Sequence, residues 1–312
     1  MGSSPSRSYG SKTLTLGDNV SLRVSANGMF SKLFTYASLI RFSHTIFALP
    51  FALTGALLAN RETGLLWDRL WWILLAMVTA RTAAMGFNRL VDARFDALNP
   101  RTSDRELPKE RVSQLEVVSI ILVSSVLFIA STYPLGMVCF VLSPLALVIV
   151  FWYSVAKRYT HYTQLFLGLA LAVAPVGGWL AVGGGLDWHP ILLGLATGLW
   201  VAGFDVLYAC EDIEFDRVQG LRSIPVRYGI ARSLTISRAF HVVTVISLAG
   251  LAAIAPLGMI YIVGVGGVAV LLLYEQSMVS VTDLSRVKEA FDLNGYVGLF
   301  YLVTTAVAIY VE

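Results

Sequence analysis

The stretch RTAAMGFNRLVDARFDALNPRTSDRELP, residues 81–108, opens inside an apolar run and closes in a dense cluster of charge. Asn88, Asp92 and Asp96 are spaced by four residues. On a helix that spacing stacks the three side chains on one face, one turn above another. An amide and two carboxylates in a column offer only oxygen ligands, the chemistry of Mg²⁺, and Mg²⁺ held this way commonly carries a phosphate as well. A second acidic stretch, DVLYACEDIEFD, residues 205–216, has Asp212 and Asp216 again four apart, with Asp205 seven before Asp212. Two such groups in one chain call for a shared explanation.

The surroundings of these charges set the fold class. The 312-residue chain is 56% hydrophobic and 14% charged, with a mean hydropathy of +0.71, where soluble domains carry about 25% charged residues. The apolar residues fall in long runs without two-residue alternation, which predicts an all-α integral membrane protein rather than a barrel. Nine transmembrane helices around a central cavity are expected, near 36–58, 70–90, 113–132, 136–155, 163–182, 190–209, 236–254, 257–275 and 293–311. Residues 1–34 read as a polar, disordered tail, and 35–312 as one transmembrane domain. A net charge of +3 gives no argument for nucleic acid. Cys139 and Cys210 form no metal spacing and read as packing residues. The run GGWLAVGGG, residues 177–185, lacks the Lys of a phosphate loop and reads as a helix end with a flexible link.

Basic residues crowd one set of loops: Arg89 to Arg111, Lys157 and Arg158, Arg217 to Arg232, then Arg286 and Lys288, against Arg61 and Arg69 on the other side. The bias places the N-terminus and both acidic groups at the cytoplasmic face. Charge asymmetry alone therefore brings the two groups to one side of the bilayer.

Several residues admit two readings. Arg81 lies seven before Asn88, about 10 Å deeper on nearly the same face. An Arg at that depth costs about 2.5–3.5 kcal/mol on insertion scales and needs a partner. That partner is either an intramembrane acid or the carboxylate of a substrate, held by a bidentate pair. Arg101, Arg105, Lys157 and Arg158 serve either as orienting charge or as clamps on a diphosphate. Arg41 fits either role. Tyr208, one turn after Asp205, either packs or sets its ring or hydroxyl over a cationic intermediate. His44 and His241 show no ligand spacing and read as structural or interfacial. A secondary transporter would need discontinuous helices at the midplane or an inverted repeat, and neither is visible.

At these residues the chain resembles the UbiA superfamily of membrane-embedded aromatic prenyltransferases. Its NDxxDxxxD motif corresponds to Asn88-Arg89-Leu90-Val91-Asp92-Ala93-Arg94-Phe95-Asp96, with Arg89 where the family often has Asp. Its DxxYAxxDxxxD motif is matched without a break from Asp205 to Asp216. RTxxRxLP is matched at Arg101, Thr102, Arg105, Leu107 and Pro108, and YSVAKRYT, residues 153–160, resembles the family's fourth-span exit. Together with RFSHTIFALPFAL, residues 41–53, these features look most like the 4-hydroxybenzoate polyprenyltransferases. Related acceptors such as dihydroxynaphthoate or homogentisate, and hence a menaquinone or related pathway, stay open.

The resemblance implies Mg²⁺-dependent transfer of a polyprenyl group from polyprenyl diphosphate to a ring carbon of an aromatic acid in quinone biosynthesis. Asn88, Asp92, Asp96, Asp205, Asp212 and Asp216 would then hold metal, with Asp92, Asp212 and Tyr208 central to catalysis. Arg101, Arg105, Lys157 and Arg158 would bind diphosphate. Arg81 and Asn88 would bind the aromatic acid. The expected location is a bacterial inner membrane, with the mitochondrial inner membrane as the alternative.

Overall fold

The structure, a computed structural model, describes residues 32, 35, 36, 38, 39, 47–61 and 67–311. The expected tail apart from Lys32, most of the approach to the first span, Arg41 and His44 lie outside the described residues. Ten helices follow one another in the described chain: α1 Leu49–Ala59, α2 Trp67–Leu98, α3 Gln114–Thr132, α4 Met137–Ala156, α5 Thr163–Ala181, α6 Trp188–Ala209, α7 Ile213–Val218, α8 Ile224–Ile254, α9 Met259–Ser277 and α10 Val287–Val311. Eight of these are long and apolar enough to cross a membrane. α1, with 11 described residues, stands at the place of the first predicted span. No strand occurs among the described residues.

Three helices outrun their predicted spans, α2 and α8 by the most and α10 by six residues at its start. α2 has 32 residues, about 48 Å at 1.5 Å per residue, against roughly 30 Å of hydrocarbon. Its last turns therefore carry Asn88, Asp92 and Asp96 out of the apolar layer without leaving the helix. α8 starts at Ile224 rather than near 236, with Ser223 capping Val226 and a bend at Gly229, where φ is 74°. Shorter boundaries follow the expected signals: Ser113 and Glu116 form a reciprocal cap at the start of α3, and Gly183, at φ 92°, turns the chain after α5. The GGWLAVGGG run is thus a helix end and a link.

The helices form two groups that share α1 and α5. One group, with α6, α8, α9 and α10, packs around Phe51, Trp200, Leu248, Tyr261 and Tyr301. The other, with α2, α3 and α4, packs around Ile73, Ala76, Ala83, Phe128 and Leu147. In lipid, helices gain from close packing rather than from leaving water, so small residues mark the crossings. A Cβ on Gly178 of α5 would come within 2.0 Å of the Ala52 carbonyl of α1, and one on Gly168 within 2.2 Å of the Gly198 carbonyl of α6. α6 is the most enclosed of the spans. α8 holds it in register through hydroxyls: Ser237 donates to the Gly203 carbonyl at 2.8 Å and Thr244 to that of Ala196 at 3.2 Å. His241 sits between them, its Nε2 3.3 Å from the Trp200 carbonyl, a packing role as expected.

Candidate functional site

Both acidic stretches open onto one polar pocket of about 250 Å³ at the ends of α2, α4 and α6. Asn88, Asp92, Asp96, Asp205, Tyr208, Asp212 and Asp216 all line it, with Arg101, Arg105 and Lys157. Residues more than a hundred positions apart thus meet, as two groups on one side of the bilayer can. The first column keeps its predicted form, a continuous helical face. The second departs from it. α6 ends at Ala209, and Asp212 begins the separate short helix α7. Asp212 and Asp216 still share a turn, with the Asp216 amide donating to the Asp212 carbonyl at 2.8 Å, but Asp205 lies on the far side of a chain break in helicity.

The bases answer the acids almost one for one. Asp92 receives Lys157 Nζ at 2.9 Å, an Arg158 guanidinium nitrogen at 3.2 Å and the Asn88 amide at 3.3 Å. Asp96 receives Arg105 at 2.6 Å through one oxygen, while its other oxygen, Oδ2, is buried with no hydrogen-bond partner. Asp212 is gripped by both ends of the Arg101 guanidinium and by the Asn99 amide at 3.2 Å. Arg101 also donates to the Tyr208 hydroxyl at 2.6 Å and lies 5.0 Å from the ring centroid. The carboxylates of Asp205 and Asp216 form no hydrogen bond or salt bridge among the described residues. Burial pushes the Asp216 carboxyl up to about 6, against the pull of Lys157.

Five carboxylates and an amide around one pocket suit a hard divalent cation, and the orphaned Asp96 Oδ2 is an oxygen in search of a positive partner. The residues fit Mg²⁺ in this respect. Among the described residues, however, no three acidic or metal-ligating side chains converge into a ready-made cluster. Lys157, Arg158, Arg105 and Arg101 already neutralise the oxygens, so a single compact shell of six protein ligands is not built. The donor set matches Mg²⁺ held by a few carboxylates with a phosphate completing the sphere.

A second cavity of about 580 Å³ continues from the first. Asn88, Arg105, Tyr153, Asp205 and Tyr208 line both. Beyond that junction the walls are apolar and mostly small, with Ala76, Ala80, Ala84 and Ala146 among them. Arg81 faces this chamber inward of Asn88. Arg89 does not face the polar pocket: it is 3% exposed, lines the apolar chamber, and sets Nε 3.4 Å from the Leu39 carbonyl. The position points away from the polar pocket, so an Asp here would not line that pocket either, and Arg89 gives the preceding segment an anchor.

Sequence reasoning missed three residues here. Asn99 bridges the loop after α2 to Asp212, Tyr153 stands at the junction of the cavities, and Phe291 packs 4.9 Å from the Tyr208 ring. Asn99 and Tyr153 lie inside quoted motifs and were within reach. Phe291 carries no signal outside the fold.

A family model described as the UbiA prenyltransferase family matches residues 48–303. A 4-hydroxybenzoate octaprenyltransferase of Vibrio parahaemolyticus is 32% identical over 245 residues, 78% of this chain and 85% of that one. The solved apo structure of a UbiA homolog from Aeropyrum pernix K1 superposes with a TM-score of 0.77 at 35% identity, covering 84% of this chain and 96% of that one. A homolog from Archaeoglobus fulgidus bound to DMAPP and Mg²⁺ shares the fold at 20% identity, with a TM-score of 0.69 over 88% of this chain and 99% of that one.

Proposed function

The chain belongs to the UbiA prenyltransferase family, and from that premise we propose that it transfers a polyprenyl group from polyprenyl diphosphate to a ring carbon of 4-hydroxybenzoate. The observation that carries the reading is the junction of the two cavities. A pocket rich in acids and bases opens directly into an apolar chamber that runs along α2 between Asn88 and Ile73. A lipid diphosphate is polar and charged at one end and apolar at the other, which matches this pair of joined cavities.

Asn88, Asp92, Asp96, Asp205, Asp212 and Asp216 would hold Mg²⁺, which when bound neutralises charge on the diphosphate. Arg101, Arg105, Lys157 and Arg158 turn from their carboxylates to the phosphate oxygens. There they stabilise the negative charge that grows as the allylic C–O bond breaks. The chamber below Tyr208 keeps water from the allylic cation, and the Tyr208 ring lends it a π face. Arg81 receives the carboxylate of the aromatic acid in a two-pronged pair, with Asn88 completing its hydrogen bonds. The ring then attacks from the carbon ortho to its hydroxyl, and loss of the ring proton restores aromaticity. The basic loops around Arg101, Lys157 and Arg222 support a site facing the cytoplasm of a bacterial inner membrane.

The test is turnover by purified protein with Mg²⁺, a polyprenyl diphosphate and a panel of 4-hydroxybenzoate, dihydroxynaphthoate and homogentisate, read by mass spectrometry. Product from 4-hydroxybenzoate in excess over the others supports the reading. Preferred prenylation of another acceptor moves the assignment to that acid, and no Mg²⁺-dependent product with any acceptor ends it.

A further inference from the structure

Four aromatic rings meet where the polar pocket opens into the apolar chamber. Phe47 stands just before α1, Phe204 and Tyr208 lie one turn apart on α6, and Phe291 comes from the second turn of α10. All four line the chamber, and Tyr208 lines both cavities, so the set borders their junction. Phe291 is the ring the others share. Its centroid is 4.9 Å from that of Tyr208, 5.2 Å from that of Phe47 and, edge on at 89°, 5.4 Å from that of Phe204. Aromatic pairs attract at these separations.

A chain of buried polar groups lies one turn further into the membrane. Trp200 is four residues before Phe204 on α6, and Asn294 is three after Phe291 on α10. The two helices run in opposite directions, so the polar pair sits directly inward of the ring pair. Trp200 Nε1–H donates to the Asn294 side-chain oxygen at 2.6 Å. The Asn294 amide donates to Glu275 Oε1 of α9 at 2.8 Å and to the Ala290 carbonyl at 3.0 Å. Glu275 Oε2 lies 3.8 Å from His241 Nδ1. Trp200, Asn294 and Glu275 are at most 1% exposed, and neither Glu275 nor Asn294 lines either cavity. An acid inside a span is costly to keep. Apolar packing would join α6, α9 and α10 without that cost, whereas directional bonds also fix the register of α10 on α6.

We propose that Phe291 is a catalytic residue whose ring, with those of Tyr208, Phe204 and Phe47, walls the allylic carbon, and that Asn294 and Glu275 are positioning residues that set it there. The inference rests on the reading that the junction takes the allylic end of a prenyl diphosphate. As the allylic C–O bond breaks, its electron pair leaves with the diphosphate, and the cation left behind meets a π face. The wall keeps water away until a ring carbon of the acceptor forms the new C–C bond. Where a water oxygen bonds to the cation instead and loses a proton, the product is the free prenyl alcohol. The ratio of alcohol to prenylated acid therefore reports on the wall.

The experiment uses purified protein, Mg²⁺, geranyl diphosphate and whichever aromatic acid the wild type prenylates. Both products are read by mass spectrometry, with melting temperature in detergent measured alongside. Phe291→Leu should raise the alcohol ratio about fivefold and lower kcat about tenfold, with both KM values within about twofold of wild type. Phe291→Tyr keeps the ring and should stay near wild type. If Phe291→Leu does not fold, Phe291→Met, closer in volume, carries the same expectation. Glu275→Leu frees one Asn294 N–H and should raise the alcohol ratio about twofold at an unchanged melting temperature. Glu275→Gln keeps the acceptor oxygen and should restore the wild-type ratio. Wild-type ratio and kcat in the Phe291 variants overturn the catalytic role. A wild-type ratio in Glu275→Leu, or a changed ratio only where the melting temperature falls, overturns the positioning role. In both cases Mg²⁺-dependent transfer by the wild type leaves the prenyltransferase reading standing, and neither product from the wild type overturns both.

Discussion

The two acidic columns reach one pocket by different routes. The first is a single face of α2 on which each carboxylate has a base: Asp92 has Lys157 and Arg158 with the Asn88 amide, and Asp96 has Arg105 on one oxygen, the other having no hydrogen-bond partner. The second is broken between α6 and α7, and only Asp212 is paired, by Arg101 and Asn99. A carboxylate with a cation already in place is a positioned ligand, because metal and diphosphate need only exchange counter-ions. An unpaired carboxylate in the same pocket is held at the cost of its desolvation, so it stands ready for a cation that the protein does not supply. If the pocket holds Mg²⁺ as proposed, the first column would chiefly stabilise the site, while the unpaired carboxylates of the second, with the free oxygen of Asp96, would set its demand for metal.

The largest expected effect is common to both columns. Asp92→Ala and Asp212→Ala should each lower turnover at saturating Mg²⁺ by at least about a hundredfold, the scale of losing one stabiliser of developing charge. Wild-type rates in either variant would remove the diphosphate assignment. Arg81→Ala sharpens what the helix of the first column does beyond binding diphosphate. Losing a charge-assisted pair of about 1.5–3 kcal/mol should raise the KM for the aromatic acid about tenfold or more, with little change in that for the prenyl diphosphate. An unaltered acid KM would return Arg81 to a structural ion pair.

The contrast itself is broken or upheld by a pair of isosteric changes. Asp92→Asn strands Lys157 in a partly buried site and leaves Arg158 only the Val91 carbonyl, and should lower unfolding stability in detergent by about 3 kcal/mol. Asp216→Asn strands nothing, so its melting temperature should hold, while half-saturating Mg²⁺ rises about tenfold. Equal destabilisation by both changes would mean that the pairing seen at Asp92 carries no structural weight.

How much of this was legible in the sequence follows the same division. Helical periodicity gave the column of Asn88, Asp92 and Asp96 because α2 runs unbroken through all three. The same argument at Asp205 to Asp216 assumed continuity, and the chain instead ends a helix at Ala209 and starts another at Ile213. Charge asymmetry located both groups at one face without any knowledge of contacts. It could not say that Arg101 and Arg105 would lie against carboxylates, since which base meets which acid depends on a loop with no periodicity. Nor could it place Arg89, whose side chain leaves the polar pocket for a carbonyl fifty residues away. Span boundaries failed where a helix outlasts its apolar stretch, as at the start of α8.

The smallest effect falls on the residue that joins the columns. Tyr208 belongs to the second motif, yet its hydroxyl accepts from Arg101, the base that follows the first, and Arg101 in turn grips Asp212. Removing that hydroxyl in Tyr208→Phe should release Arg101 from one of its three anchors. The cost is about 1 kcal/mol, read as a rise of roughly fivefold in the KM for prenyl diphosphate with the acid KM unchanged. Tyr208→Leu separates the two roles of the side chain, because it also removes the ring that faces the junction of the cavities and packs at a tilt against Phe291. A lower kcat in the Leu variant but not in the Phe variant assigns the ring to the cation. Matching kinetics in both variants and wild type would leave Tyr208 as packing, and the two columns would then be joined through Asn99 and Arg101 alone.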